Sequence, residues 1–243
     1  MSTQAPQQDP NIIVLRGRLS YPTLNLKQLE EQKKRVKKKP GDGDGGGSGD
    51  KYGASIILDK DTAADQIKAV RALIGRIAGE QWKGKIVTVK GQSEKVVDQP
   101  NPKAERVVLL GTCLHDGEEK ADKDGYGDHV MYVSSSRKES DGAPRVVDKS
   151  RQDIRPEESH YPYAGCYVVA SVRLWAQDND FGKRVNAELR AVIFDKHGEP
   201  FGKGTVDVDS DFAGVDLDED SESTPAPAKP AAAKKELSID DMM

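Results

Sequence analysis

The chain has 243 residues, 37 of them basic and 41 acidic, with 35% apolar residues and two cysteines, Cys113 and Cys166. Its apolar runs fall far short of the roughly 18 residues of a membrane span, its first residues, MSTQAPQQDP, lack the basic region and apolar core of a signal peptide, and two cysteines outside CxxC spacing make no disulfide framework. Charge is segregated: residues 206–243 hold eleven acids against three lysines, a balance of −8, which leaves 34 bases and 30 acids, +4, for residues 1–205. The expectation is a soluble protein of a reducing cytoplasm, without membrane contact, made of one domain over 1–205 and a disordered acidic tail over 206–243, whose isolated apolar residues and like charges cannot collapse into a core.

In chain order, residues 12–20 alternate: Ile13, Leu15, Gly17 and Leu19 fall on one side, and Val14, Arg16, Arg18 and Ser20 on the other. That spacing predicts a strand with a partly basic face, stopping near Tyr21-Pro22. Seven bases follow (Lys27, Lys33, Lys34, Arg35, Lys37, Lys38, Lys39) and run into a Gly/Asp/Ser stretch, so residues of about 26–50 read as a mobile basic, glycine-rich loop, with a short helix at its start left open. A second strand is predicted over 52–58, with Tyr52, Ala54, Ile56 and Leu58 on one face. One main helix begins near Asp61 with a capping-box-like Thr62 and Asp65, and carries Ile67, Val70, Ile74, Ile77 and Trp82 at helical spacing. Strand-like segments recur at 85–90, 106–114, 129–136, 165–176 and 184–194, separated by turn-rich stretches such as DGEEKADKDGYGD.

The segment from Cys166 to Ala176 is the most informative of these. Its even positions, Cys166, Val168, Ala170, Val172, Leu174 and Ala176, are apolar or small, and its odd positions are Tyr167, Val169, Ser171, Arg173 and Trp175. One face suits a core. The other interleaves rings with a cation, as stacked bases and phosphates require, although packing under a loop explains any one of these aromatics equally well.

Motifs for other chemistry fail on spacing. The GSGDK stretch has Asp50 where a phosphate loop needs Lys directly after Gly. Asp122, Asp124 and Gly127 begin like a calcium loop, but its twelfth position is Val133. Cys113, His115, His160 and Cys166 have no zinc-finger spacing, and no GxSxG, HExxH or nucleophile-with-base pattern occurs. No catalytic residue, metal or cofactor is expected, and the chain reads as a non-enzyme.

The succession RGRLSYPTL (16–24), DKYGASIILDKD (50–61), EQWKGK (80–85), YVSSSRKESDGAPRVVD (132–148) and YPYAGCYVVASVRLWAQDN (161–179), closed by the acidic tail, resembles a family of bacteriophage single-stranded DNA-binding proteins over nearly the whole chain. The resemblance implies a mainly β, OB-fold-like five-stranded barrel with a helix. It also implies sequence-tolerant coating of single strands during phage replication, recombination or repair, and a tail that contacts replication partners such as a polymerase or a helicase/primase. The terminal Ile239-Asp240-Asp241-Met242-Met243 lacks the closing aromatic of some phage relatives, which leaves the docking partner open. A homodimer is also left open.

On this reading the candidate base-stacking residues are Tyr52, Tyr132, Tyr163, Tyr167 and Trp175. The candidate phosphate contacts are Arg16, Arg18, Lys33, Arg35, Lys51, Arg137, Lys138, Arg173 and Lys183. Asp216, Asp218, Glu219, Asp220, Asp240 and Asp241 are the candidate partner-binding acids of the tail. As a flexible chain, the tail has an end-to-end distance of ~35 Å against a body radius of gyration of ~17 Å, so it can reach the basic face and compete there with DNA. A strand-annealing or recombination mediator would share that face, and an acidic-tailed protein-interaction scaffold would ignore DNA.

Overall fold

Alternation along the chain builds one large sheet. In the computed structural model, which describes residues 9–37, 51–90, 93–98 and 106–202, strand β1 (Ile12–Thr23) pairs antiparallel with both β2 (Lys51–Asp59) and β10 (Tyr167–Asn179). β10 forms a long hairpin with β11 (Gly182–Lys196), and β2 pairs with β8 (Val130–Lys138). These five strands run in the order β11-β10-β1-β2-β8. No ladder joins β8 to β11 directly among the described residues, so the barrel-like sheet is not closed. Instead β6 (Gly111–Thr112) pairs with β11 and β7 (Leu114–Asp116) pairs with β8, and the short segment containing both ties the two ends of the sheet together across the seam. β9 (Arg145–Val147) adds a parallel partner to β11. A separate sheet is formed by β3 (Lys85–Lys90), β4 (Ser93–Asp98) and β5 (Arg106–Leu109) in the order β4-β3-β5. The mainly β class read from the sequence is the one found.

The inner face of the large sheet is the core. Leu15 and Leu19 of β1, Ile56 and Leu58 of β2, Val133 of β8, Val168, Val172 and Leu174 of β10, and Val185 and Leu189 of β11 are all buried together. Each such side chain contributes roughly 1.5–3 kcal/mol on burial. Helix α2 (Ala64–Gln81) lays Ile67, Val70, Ile74, Ile77 and Ala78 onto this core, as its 3.6-residue spacing requires. Its start differs from the expected capping box. The N-cap is Ala63 without a side-chain bond, and the turn before it is held by Asp59, whose Oδ1 accepts from the backbone N–H groups of Asp61 and Thr62 and from the Thr62 hydroxyl.

Two local readings are sharpened. The helix left open at the start of the basic loop is present as a 12-residue element, α1 (Leu26–Lys37). Asn25 caps it by accepting from the Gln28 N–H while Gln28 Oε1 accepts from the Leu24 N–H, which satisfies end groups that a helix otherwise leaves open, and Leu29 anchors it in the interior. Residues 38–50 lie outside the described residues. β1 also runs past Ser20 to Thr23, through a register shift at which Tyr21 takes φ of 48°. The chain divides into the units Met1–Thr205 and Val206–Met243; the second lies outside the described residues, and with it the six acids named above.

Candidate nucleic-acid interface

Register decides which candidates share a surface. β1 and β10 pair Arg18 with Tyr167, Arg16 with Val169, Val14 with Ser171 and Ile12 with Arg173. All of these lie on the face turned away from the core, so Arg16, Arg18, Tyr167, Arg173 and Trp175 share the outer face of two adjacent strands. Trp175 is 39% exposed. Arg16 is exposed. Arg173 Nε lies 2.7 Å from Asp9 Oδ2, and the Asn11 backbone N–H, followed by Arg173, holds the Asp9 carboxyl below the usual carboxylate range. Arg18 is engaged by the backbone: its guanidinium donates to Gly165 O at 3.1 Å and Glu199 O at 2.7 Å.

The outer face continues across β11. Trp175 pairs with Asn186, and Gln177 pairs with Arg184. Asn186 and Arg184 also line a cleft of about 570 Å³ at the seam, together with Arg71 of α2, Thr112, His115, and Ser134 and Ser136 of β8. Arg71 donates to Met131 Sδ at 3.1 Å, which turns its guanidinium toward that cleft. The acids beside it have partners of their own: Asp116 lies 3.2 Å from Lys60, and Glu119 lies 3.5 Å from the His115 imidazole.

Ser134, Ser136 and Lys138 alternate along the exposed side of β8. Lys138 pairs in register with Lys51 of β2, also exposed. Like charges directly opposite each other are destabilising, a cost that an anion lying between them removes. On α1, Arg35 is exposed and Lys33 makes a 2.6 Å ion pair with Glu139, just beyond β8.

Several candidates are placed elsewhere. Tyr52 is 5% exposed and Tyr132 4%, so neither presents a ring to a base as the chain is folded. Tyr52 falls on the apolar side of β2. Tyr132 faces outward but is covered by β7 and the segment after it: His115 stacks on it at 4.8 Å, Tyr126 meets it edge-on at 5.2 Å, and the Lys120 ammonium lies 4.4 Å from its centroid. Burial and then the Glu119 charge push the Tyr132 hydroxyl up to about 12, and burial pulls Lys120 down. Tyr163 donates to Gly198 O at 2.8 Å and packs against the core edge. Arg137 bonds the Asp141 and Gly142 carbonyls and Glu188 of β11, which spans the seam. Lys183 pairs with Asp178 at 2.8 Å, and Asp178 also accepts from the indole N–H of Trp82.

Sequence reasoning missed Arg71, Arg184 and Asn186, whose shared cleft depends on which strands meet. It also missed Phe181, 78% exposed at the tip of the β10–β11 hairpin, where Asn179 Oδ1 accepts from the Phe181 N–H. An isolated aromatic beside Asp-Asn-Asp and Gly is a sequence signal for such a tip.

Residues 39–223 match the sequence model of a family described as Enterobacter phage Enc34, ssDNA-binding protein. "Putative protein p50" of Acyrthosiphon pisum secondary endosymbiont phage 1 is 32% identical over 172 residues, covering 71% of this chain and 83% of that protein. The solved single-stranded DNA-binding protein from bacteriophage Enc34 in complex with ssDNA superposes with a TM-score of 0.54 at 24% identity, over 79% of this chain and 90% of that one. A second structure of the single-stranded DNA-binding protein from bacteriophage Enc34 gives 0.53 at 23% identity, over 83% and 90%. At such identities the superpositions establish a shared fold.

Proposed function

The chain belongs to the family of the Enterobacter phage Enc34 ssDNA-binding protein, and from that premise we propose that it binds single-stranded DNA along a path of its own outer face and seam. The strand runs from Lys51 and Lys138 past Ser136 and Ser134, through the cleft beside Arg71 and Arg184, and over Asn186 to Trp175, Arg173 and Arg16. Cations along this line meet phosphates without reading sequence, and Trp175 offers a ring to any base. The observation that carries the reading is the register: Trp175 is set opposite Asn186, and Asn186 belongs to the cleft, which makes the platform and the cleft one continuous surface.

No reaction is assigned to the surface. The chain acts by occupancy, coating and protecting single strands during phage replication and recombination in the bacterial host cell. Residues 206–243, at −8, compete for the same cations and turn to protein partners of replication when DNA displaces them. Arg35 and Lys33 of α1 extend the basic surface toward longer strands.

The test is a salt series of oligo-dT binding. Association should weaken with a log–log slope of about −0.7 per phosphate contacted, and Arg71→Ala, Arg184→Ala and Lys138→Ala should each reduce that slope. Binding that is absent at low salt, or a slope none of these variants changes, would exclude this path.

A further inference from the structure

Beyond Lys196 the chain doubles back over the outer face of the sheet, and what it covers is chemically the same as what is left open. Glu199 O lies on the Arg18 guanidinium, Phe201 N–H donates to Ala164 O at 3.0 Å, and Gly202 N–H donates to Asp124 Oδ2 at 2.9 Å. The Phe201 ring sits 4.3 Å from the Arg18 guanidinium carbon. The same guanidinium carbon is 5.6 Å from the Tyr167 ring, and the Lys196 ammonium is 4.6 Å from that ring. Ring and cation therefore alternate: Phe201, Arg18, Tyr167, Lys196.

The seat is shaped for a flat group. Gly125, at φ 78°, leaves the space in which a Cβ would lie 2.3 Å from the Phe201 ring, and Gly165, at φ 104°, leaves the space for Glu199 O, which a Cβ would meet at 2.1 Å. Arg18 and Tyr167 are register partners on the same face as Arg16, Arg173 and Trp175, so the proposed strand path ends where residues 197–202 cover it.

We propose that Arg18 and Tyr167 form a nucleobase subsite which Phe201 fills in the free protein, and which a base of a bound single strand takes over by displacing that ring. A base offers the guanidinium the same π face as phenylalanine, and its phosphate reaches Lys196 and Arg16. The covering segment lies past the last ladder pair, where opening costs least. The inference rests on the single-strand reading above.

The experiment uses the full chain with fluorinated phenylalanine at its four positions, Phe181, Phe194, Phe201 and Phe212, the Phe201 resonance being assigned through Phe201→Leu. Saturating oligo-dT should move that resonance to a solvent-exposed position with a water isotope shift, while core Phe194 stays put. Phe201→Ala should tighten oligo-dT binding about two- to fivefold, the cation–π contact a base no longer has to displace. An unmoved Phe201 resonance at saturation, with Trp175 fluorescence quenched, overturns the subsite and leaves the path intact. No quenching and no shift overturns both.

Discussion

Trp175→Ala isolates the ring that the path most needs. The side chain stands on the outer face of β10, 39% exposed and outside the core clusters. Its removal should therefore cost folding less than the ~3–5 kcal/mol of truncating a fully buried aromatic. Alanine keeps the backbone ladder with Asn186. If the indole stacks a base, the loss is ~1–3 kcal/mol of binding, or about 5- to 150-fold in Kd. Fluorescence anisotropy of labelled oligo-dT at fixed salt measures it, with a melting curve of each variant beside it. Trp175→Phe, which keeps a π face, should recover most of the affinity. An alanine variant that melts as the parent does and binds with unchanged Kd would refute the stacking argument.

Other consequences can be measured separately. Replacing Asp216, Asp218, Glu219 and Asp220 by their amides in the full chain should tighten oligo-dT binding at low salt, with the gain fading as the Debye length falls to about 8 Å near physiological salt; equal affinities at low salt would remove the competition. Ile74→Ala, in the α2 face of the core, should cost about 2–5 kcal/mol by urea unfolding. Burial holds Cys113 and Tyr132 protonated, each pushed up to about 12 from 9.0 and 10.0. For acids whose folded pKa is raised, the unfolded chain loses its protons first, so the stability they contribute is whole below pH 9 and drains away between pH 9 and 12. Tyr132→Phe should flatten that decline above pH 10 in urea midpoints taken from pH 8 to 11.

How much was legible depended on whether the signal was local. β10 could be read because one of its faces is fully buried, and a period of two then sorts every residue from Val168 to Leu174. α1 was legible only as an open possibility: among its described side chains Leu29 alone is buried, so the segment carries almost no periodicity. The pairing of cations was not legible either. Arg18 meets Glu199, Arg173 meets Asp9, and Arg137 meets Glu188, partners 181, 164 and 51 residues apart in sequence. Tyr132 shows the limit of a local reading: nothing near it in sequence reveals that the Gly- and Asp-rich stretch after β7 folds over it with Lys120 and Tyr126. The cleft depended on the β6–β7 segment crossing the seam, a matter of topology alone.

The most direct test of the account is tryptophan fluorescence on titration with oligo-dT and, in parallel, with the same mass of duplex. Trp82 is buried with its indole N–H on Asp178, so quenching should come from Trp175 and survive in Trp82→Phe. The account predicts saturable quenching by oligo-dT at low salt, weaker quenching by duplex, and none in Trp175→Phe carrying only Trp82. Fluorescence that single strands leave unchanged at low salt, in a chain whose acidic residues have been neutralised, would contradict it.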